Sequence, residues 1–357
     1  MKHLELFSGI GGFRRAMDLL THDKIMSFES VGYSEIDSNA IRTYITNYTP
    51  SEEEVTLGDI VSFTSNIKNI EQLPNFELLT GGFPCQTFSM MGKQEGFNED
   101  RGQMFFRILD ILKVKRPKYV LLENVKNLYT HDNKRTYQRI KTELEALGYN
   151  VVSSIFNTAS FHLPQKRSRV LIFATLDKLP KGFDEIFNND NVKDCFEKYY
   201  RNSSLITAES TIDILKKEVP QKYFLSERIK PTILSDGSGK FKSNSEINLG
   251  TARTLTASMH KMHRACQDNY YSQDYIESNG NINPVTTMNK DDLAKLPIRK
   301  LTPEEAFLLQ GFPEEFAGKA REVKVSDGAL YKQAGNAVSV NTIYAVLLYL
   351  ITNNIIS

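Results

Sequence analysis

The stretch LFSGIGGFRRAM, residues 6–17, decides how the chain folds, because an apolar run passes straight into a glycine-rich turn and then into a helical pattern. Glycines 9, 11 and 12 after a strand and before a helix let the backbone pass close to a ligand and turn helix N–H groups toward it. The spacing G-x-G-G is not the dinucleotide fingerprint G-x-G-x-x-G. With no pyrophosphate to cradle, a ligand carrying an amino-acid carboxylate matches better. The next apolar run ends in Glu35-Ile36-Asp37, an acid where doubly wound folds hold a ribose diol. "GDI" at 58–60 adds a third strand-end acid, Asp59. Three successive strand-end groups together favour a nucleoside-containing ligand.

Outward from this turn, residues 1–175 alternate short apolar runs with helical patterns, the signature of repeated βα units and a parallel sheet. The predicted strands are 3–7, 25–35, 54–57, 76–79, 118–123, 149–156 and 169–175; the predicted helices between them are 12–20, 38–47, 103–114 and 134–147. From about 180 to 297 the pattern breaks, with acids and bases intermixed and Asn, Ser and Gly clustered, so a different module is expected there. Regular structure returns as a helix over 302–310, opened by Thr302-Pro303-Glu304-Glu305: a cap residue, a proline in the first turn, then acids at the positive helix end. The apolar tail at 340–351 is too short to span a bilayer and is expected to be a buried helix, 339–352, returning to the first sheet.

The chain has 357 residues, 40% hydrophobic and 24% charged, the composition of a folded protein with a sizeable core rather than a disordered one. A formal net charge of +1 does not announce a polyanionic partner, but residues 222–264 carry eight Lys/Arg against three acids. Such a strip suits a polyanion held on one face, or simply a solvated surface. Cys85, Cys195 and Cys266 form no C-x-x-C pair, so neither a disulfide framework nor a zinc site is encoded. The N-terminus leaves no room for a cleavable signal segment, and a reducing, cytoplasmic location is expected.

Three motifs carry chemistry. In GGFPCQTFSMMGKQEGF, residues 81–97, Cys85 follows a turn at the end of the fourth strand, where doubly wound enzymes keep their sites. An ordinary cysteine, with a pKa of about 8.5, is mostly thiol at pH 7 and needs a cation, a helix N-terminus or a polarised substrate to react. "LLENVKNL" ends the fifth strand with Glu123, a carboxylate that desolvation would equip to donate a proton. "QKRSRV" places Arg167 and Arg169 at alternating positions, expected to share one face and to bind phosphate or fix a carboxylate.

Together, "FSGIGG", "SEID", "GDI", "GGFPCQTFS", "DRGQMFF", "ENVKNL", "QKRSRV", "RKLTPEEAFLLQGFP" and "YKQAGNAVSVN" resemble, in order and spacing, the motif blocks of DNA (cytosine-5)-methyltransferases of bacterial restriction–modification type. The resemblance covers residues 4–175 and 299–342. It implies an α/β fold: a Rossmann-like methyltransferase domain over 1–179 and 298–357, with a target-recognition domain inserted at 180–297. It implies S-adenosylmethionine at the glycine turn (Gly9, Ile10, Gly12), with Phe7 stacked on adenine, Glu35 at the ribose, Asp59 and Ile60 at adenine, Gly82, Pro84, Asn336 and Val338 on the methionine side, and Ile36 as a further cofactor contact. The implied chemistry is addition of the Cys85 thiolate to C6 of a flipped-out cytosine, which makes C5 a carbon nucleophile. Glu123 would hold and protonate N3, while Arg167 would position the base and support Glu123 or Cys85, with Arg169 nearby.

Gln86, Ser89 and Lys93 would face DNA from a loop closing over the base, and Thr254, in "TARTLTAS", would meet the target phosphate. The implied partners are double-stranded DNA and a cognate restriction endonuclease, with no metal and no membrane. A transfer-RNA cytosine-5 methyltransferase and a catalytically silent DNA-binding relative share these blocks. A zinc deaminase is disfavoured by the absence of H-x-E with P-C-x-x-C, and a dehydrogenase by the glycine spacing.

Overall fold

The computed structural model describes residues 1–84, 104–236 and 245–357. Its strands are β1 (Lys2–Leu6), β2 (Glu29–Tyr33), β3 (Val55–Thr56), β4 (Leu78–Gly82), β5 (Tyr119–Val125), β6 (Asn150–Asn157), β7 (Gln165–Lys166) and β8 (Ser168–Thr175), followed by β9 (Ala252–Arg253), β10 (Tyr270–Ser272) and β11 (Ile298–Lys300). Seven of them form one sheet in the order β3-β2-β1-β4-β5-β8-β6.

The sheet is mixed rather than wholly parallel. β1 to β5 run parallel, as the βα pattern predicts, but β8 pairs antiparallel with both β5 and β6. The cause is the connection. A parallel return needs a crossover of a dozen or more residues, usually a helix, whereas β6 and β8 are joined only by a single 3₁₀ turn, Thr158–Phe161, and β7. The predicted strand at 25–35 is shorter than expected, Glu29–Tyr33, because residues 23–28 are a turn and an extended approach to the sheet.

Both faces of the sheet are covered, so its central strands read as unbroken apolar runs; Tyr119 to Leu122 of β5 are fully buried. On one face the helix Gly12–His22 packs Phe13, Ala16, Met17 and Leu20 against the helix Val340–Thr352. On the other, the helices Met104–Lys115 and Arg135–Ala146 contribute Phe105, Ile108, Leu109, Ile140 and Leu144. The apolar tail is the buried helix expected: every residue from Val340 to Leu350 is buried.

Residues 180–223 do not stand apart from this core. Phe183, Phe187, Val192 and Phe196 pack into the cluster that holds the C-terminal helix, with the Phe196 ring edge-on to Tyr344. A separate small core gathers Leu225, Ile233, Leu234, Ile247, Tyr270, Leu293 and Ile298. The two parts are joined by β7 and β9, which pair in parallel, Gln165 opposite Ala252 and Lys166 opposite Arg253.

The helix Pro303–Leu308 begins as its sequence predicts: the Thr302 hydroxyl accepts from the Glu305 amide (3.2 Å) and the Thr302 amide donates to the Glu305 carboxylate (2.7 Å). Glu305 has a second role that the capping pattern does not reveal. It is fully buried and forms a two-pronged ion pair with the equally buried Arg299, at 2.7 and 2.9 Å.

Candidate active site

Strand order reverses between β1 and β4, so a crevice opens at the carboxyl ends of these strands. The residues around it come from five strand ends, those of β1 to β5. After β1, Phe7 adopts a left-handed backbone (φ 53°), and Gly9 and Gly11 also have positive φ. Two glycines are required here by close approach. A first side-chain carbon on Gly11 would lie 2.4 Å from the Tyr48 ring, and one on Gly12 would lie 2.4 Å from Cγ2 of Val338. Ile10 is buried in the core beside them.

After β2, the Glu35 carboxylate is held by three backbone amides, Gly9, Ile36 and Asp37, each at 2.8 Å. Fixed in this way, it presents oxygen acceptors suited to hydroxyl donors such as a ribose diol. Its neighbour Ile36 is 73% exposed, an apolar surface beside a fixed carboxylate. Asp59 caps the helix Ile60–Thr64, accepting from the Val61 amide (3.0 Å) and the Ser62 hydroxyl (2.8 Å), and the Ser62 bond holds its carboxyl below the ordinary range. Ile60 is buried in the core. The glycine turn, Glu35 and Ile36 thus fit an adenosine-bearing ligand, while Asp59 has a structural occupation as well.

After β4 and β5 the chemistry-bearing side chains meet. Gly82 lies opposite Glu123 in register, and a side chain at Gly82 would meet Glu123 Oε2 at 3.4 Å and Val338 at 3.7 Å. Glu123, 12% exposed, forms an ion pair with Arg169 Nε at 2.9 Å. Pro84 and Asn336 are exposed, and the buried Val338 reaches both Gly12 and Gly82. Cys85, Gln86, Ser89 and Lys93 lie outside the described residues.

The two arginines do not act as one pair. Arg169 takes Glu123, and Arg167, expected to support Glu123, instead donates to four carbonyl contacts: Leu255 (3.1 Å), Gly335 (3.2 Å twice) and Ala337 (2.7 Å). Burial lowers the Arg167 pKa to about 9, with the Arg169 charge acting in the same direction and Glu123 opposing it. Arg167 sits in the break between β7 and β8, whereas Arg169 lies within β8, and each still feels the charge of the other.

Sequence reading passed over Gln165, which is fully buried. It accepts from the Leu255 amide (3.0 Å) and donates to the Leu309 carbonyl (2.8 Å), tying the "QKRSRV" segment to residues 252–256. Its signal was its place at the head of that motif. Thr254 is on this seam, its hydroxyl donating to the Lys166 carbonyl.

The basic strip at 222–264 is neutralised only in part within the fold: Arg228 and Lys261 are exposed with no ion pair among the described residues. Lys222 pairs with Asp327 (2.7 Å), Lys230 with Glu227 (2.6 Å) and Arg264 with Asp268 (2.9 Å), and Arg253 donates to the carbonyls of Glu246 and Asp268. Lys240 and Lys242 fall outside the described residues. No group of His, Cys, Asp and Glu placed to hold a metal occurs among the described residues.

The sheet order and the strand-end groups define an α/β methyltransferase. Across residues 1–351 the chain matches the C-5 cytosine-specific DNA methylase model, and it belongs to that family: it is a DNA cytosine methyltransferase. It is 36% identical over 346 residues to the Type II methyltransferase M1.ScrFI of Lactococcus lactis subsp. cremoris, covering 97% of this chain and 76% of that protein. It is 33% identical to the Type II methyltransferase M.HaeII of Haemophilus aegyptius, covering 97% and 91%. Among solved structures it resembles the Entamoeba histolytica methyltransferase EhMeth, with a TM-score of 0.74 at 21% identity covering 100% and 99%. It also resembles the S. pombe Dnmt2 methyltransferase, with a TM-score of 0.70 at 21% identity covering 99% of each chain. These structural likenesses bear on the fold.

Proposed function

We propose that the protein methylates C5 of a specific cytosine in double-stranded DNA through a covalent adduct between Cys85 and C6 of a flipped-out base. The observation that carries this reading is the Glu123–Arg169 ion pair at the end of β5, directly opposite Gly82 and three residues from Cys85 in the chain. A cytosine ring entering there meets the Glu123 carboxyl at N3, and the sequence places Cys85, the proposed nucleophile for C6, three positions after Gly82.

Addition of the thiolate to C6 pushes charge toward N3, where Glu123 passes a proton to the ring and is left as the carboxylate that Arg169 pairs with. Arg169 fixes the carboxyl so that it meets the ring edge without reorganising. S-adenosylmethionine supplies an electrophilic methyl group when bound, and the fit of the glycine turn, Glu35 and Ile36 to an adenosine supports their holding it, with Phe7, Asp59, Ile60, Pro84, Asn336 and Val338 around them. Once C5 carries the methyl group, loss of the C5 proton to water, departure of Cys85 as a thiolate and return of the N3 proton to Glu123 restore the aromatic ring. Arg167 joins Leu255 to Gly335 and Ala337, and its role is to hold the recognition segment in register with this pocket. The small core built from Leu225 to Ile298 is the recognition module. The Type II designation of the relatives supports a cognate restriction endonuclease for the same site and a cytoplasmic setting.

The test is transfer of labelled methyl groups to plasmid DNA and, in parallel, to total transfer RNA. Cys85→Ser is expected to abolish transfer while duplex binding survives; full turnover in this variant removes the nucleophile assignment. Transfer confined to RNA moves the substrate to the alternative class.

A further inference from the structure

Arg228 and Lys261 lack ion pairs among the described residues but are exposed to solvent, whereas Lys300 lacks one while half-buried. It ends β11 directly opposite Tyr270 and lines a pocket with Thr254, Thr256, His263, Asp268 and Tyr331. Its ammonium lies 4.9 Å from the Tyr331 ring centre, half-buried, with no ion pair or hydrogen bond among the described residues. The two carboxylates that act on it electrostatically are committed elsewhere: Asp268 to Arg264 and Asp327 to Lys222 and Arg321. Burial therefore lowers its pKa, and the same cation, with burial, lowers that of His263.

A half-buried ammonium without a counter-ion loses part of its hydration, a cost that an incoming anion offsets. The pocket is placed to receive one. Thr254 is on its wall, and the residues just before it, β9, pair with the segment leading to Arg167 and Arg169. Tyr270 keeps the opposite wall fixed, its hydroxyl 3.3 Å from His263 Nδ1 and accepting from the Arg264 amide at 3.1 Å. A lysine acts on phosphate as a point charge, needing reach rather than a planar match.

We propose that Lys300 is a phosphate-binding residue of this enzyme and that the pocket takes a backbone phosphate of duplex DNA beside the recognition segment. The assignment rests on the reading of the protein as a DNA methyltransferase. The contact positions the duplex and carries no base preference.

Each lysine–phosphate contact contributes close to one unit to the dependence of binding on salt. The experiment measures anisotropy of a fluorescein-labelled random-sequence duplex from low to physiological salt. The variant is Lys300→Met, which keeps the stem that packs on Tyr331. Loss of about one unit of slope in log K against log salt is expected, with several-fold weaker binding at low salt, and Lys300→Arg restores the slope. An unchanged slope in Lys300→Met overturns the proposal.

Should Lys300→Met fail to fold, acylation of lysines in the wild-type protein, read by mass spectrometry, decides instead. Duplex DNA protects Lys300 and inorganic phosphate at matched ionic strength does not. Reactivity unchanged by duplex, protection by phosphate alone, or protection by transfer RNA but not duplex each overturns it. Wild-type protein that neither binds duplex nor methylates it defeats the functional reading itself, whereas methylation with an unaltered slope in Lys300→Met defeats only this site.

Discussion

Replacing Glu5 by Gln should remove a pH dependence of stability that the wild-type fold carries in its first strand. Glu5 is fully buried in β1, beneath the first turn of the helix Gly12–His22, and neither of its carboxylate oxygens has a hydrogen-bond partner among the described residues. Its nearest cation, Arg14, is already engaged by Glu54 (2.5 Å) and Tyr44 (3.0 Å). Burial pushes the Glu5 pKa from 4.5 up to about 8, against the weaker pull of Arg14 and of the Phe13 and Arg14 amides.

A folded-state pKa above the unfolded one means that the folded chain keeps a proton that the unfolded chain has released. The stabilisation is complete below pH 4.5 and is lost as pH rises through 8. At about 1.4 kcal/mol per pH unit, the wild type forfeits roughly 3 kcal/mol between pH 4.5 and 7 through this one group. His3, two residues away and also buried, has the opposite sign. Burial lowers its pKa to about 3, so its contribution is complete above pH 6.5 and is lost as pH falls from there. The two slopes oppose each other between pH 4.5 and 6.5, and Glu5 acts without that compensation from 6.5 to 8.

Glu5→Gln deletes one slope and leaves the other. Urea titrations of both proteins at several pH values from 5 to 8 should show the stability difference moving in favour of the variant by about 3 kcal/mol across that range. Parallel curves for the two proteins would refute the reasoning, since the offset at any single pH also includes the cost of fitting an amide.

Gly335→Ala tests the seam between the two parts of the chain. The new methyl group would stand 2.2 Å from the Thr256 carbonyl carbon and 2.3 Å from the Ala257 nitrogen, so the segment around Leu255–Ala257 must move and strain the bond from Arg167 to Leu255. A loss of about 1–3 kcal/mol in thermal unfolding, with weaker duplex binding, is expected; an unaltered melting temperature and affinity would count against it. Arg299→Met leaves Glu305 buried and without its cation, and denaturant titration should show a loss of about 3–5 kcal/mol. A loss below about 1 kcal/mol would mean that the pair is not what holds β11 to the helix Pro303–Leu308.

What was legible in the sequence follows from what each signal depends on. The glycine turn, the Thr302 cap and the C-terminal apolar helix depend on neighbours within a few residues, and the structure contains all three where the sequence placed them. The βα pattern brings Glu35 and Glu123 close to strand ends, with β2 stopping at Tyr33 and β5 running on to Val125. The antiparallel β8 depended on the length of one connection, and that could have been read, since no helical pattern separates residues 157 and 168. The partners of Arg167 could not: they lie 88, 168 and 170 positions away, and only the fold brings those carbonyls to it.

The same reason makes local charge a poor guide to the DNA-facing surface. A cluster of bases counts residues along the chain, whereas binding a polyanion requires cations that the fold leaves unpaired. Lys222, Lys230 and Arg264 are in the cluster and are paired; Lys300 is outside it, beside two acids that other cations already occupy. Phosphate affinity in this protein therefore depends on which basic side chains lack a carboxylate in three dimensions. By that measure, substituting the paired Lys222 should change fold stability more than the salt dependence of DNA binding, the reverse of the result expected at Lys300.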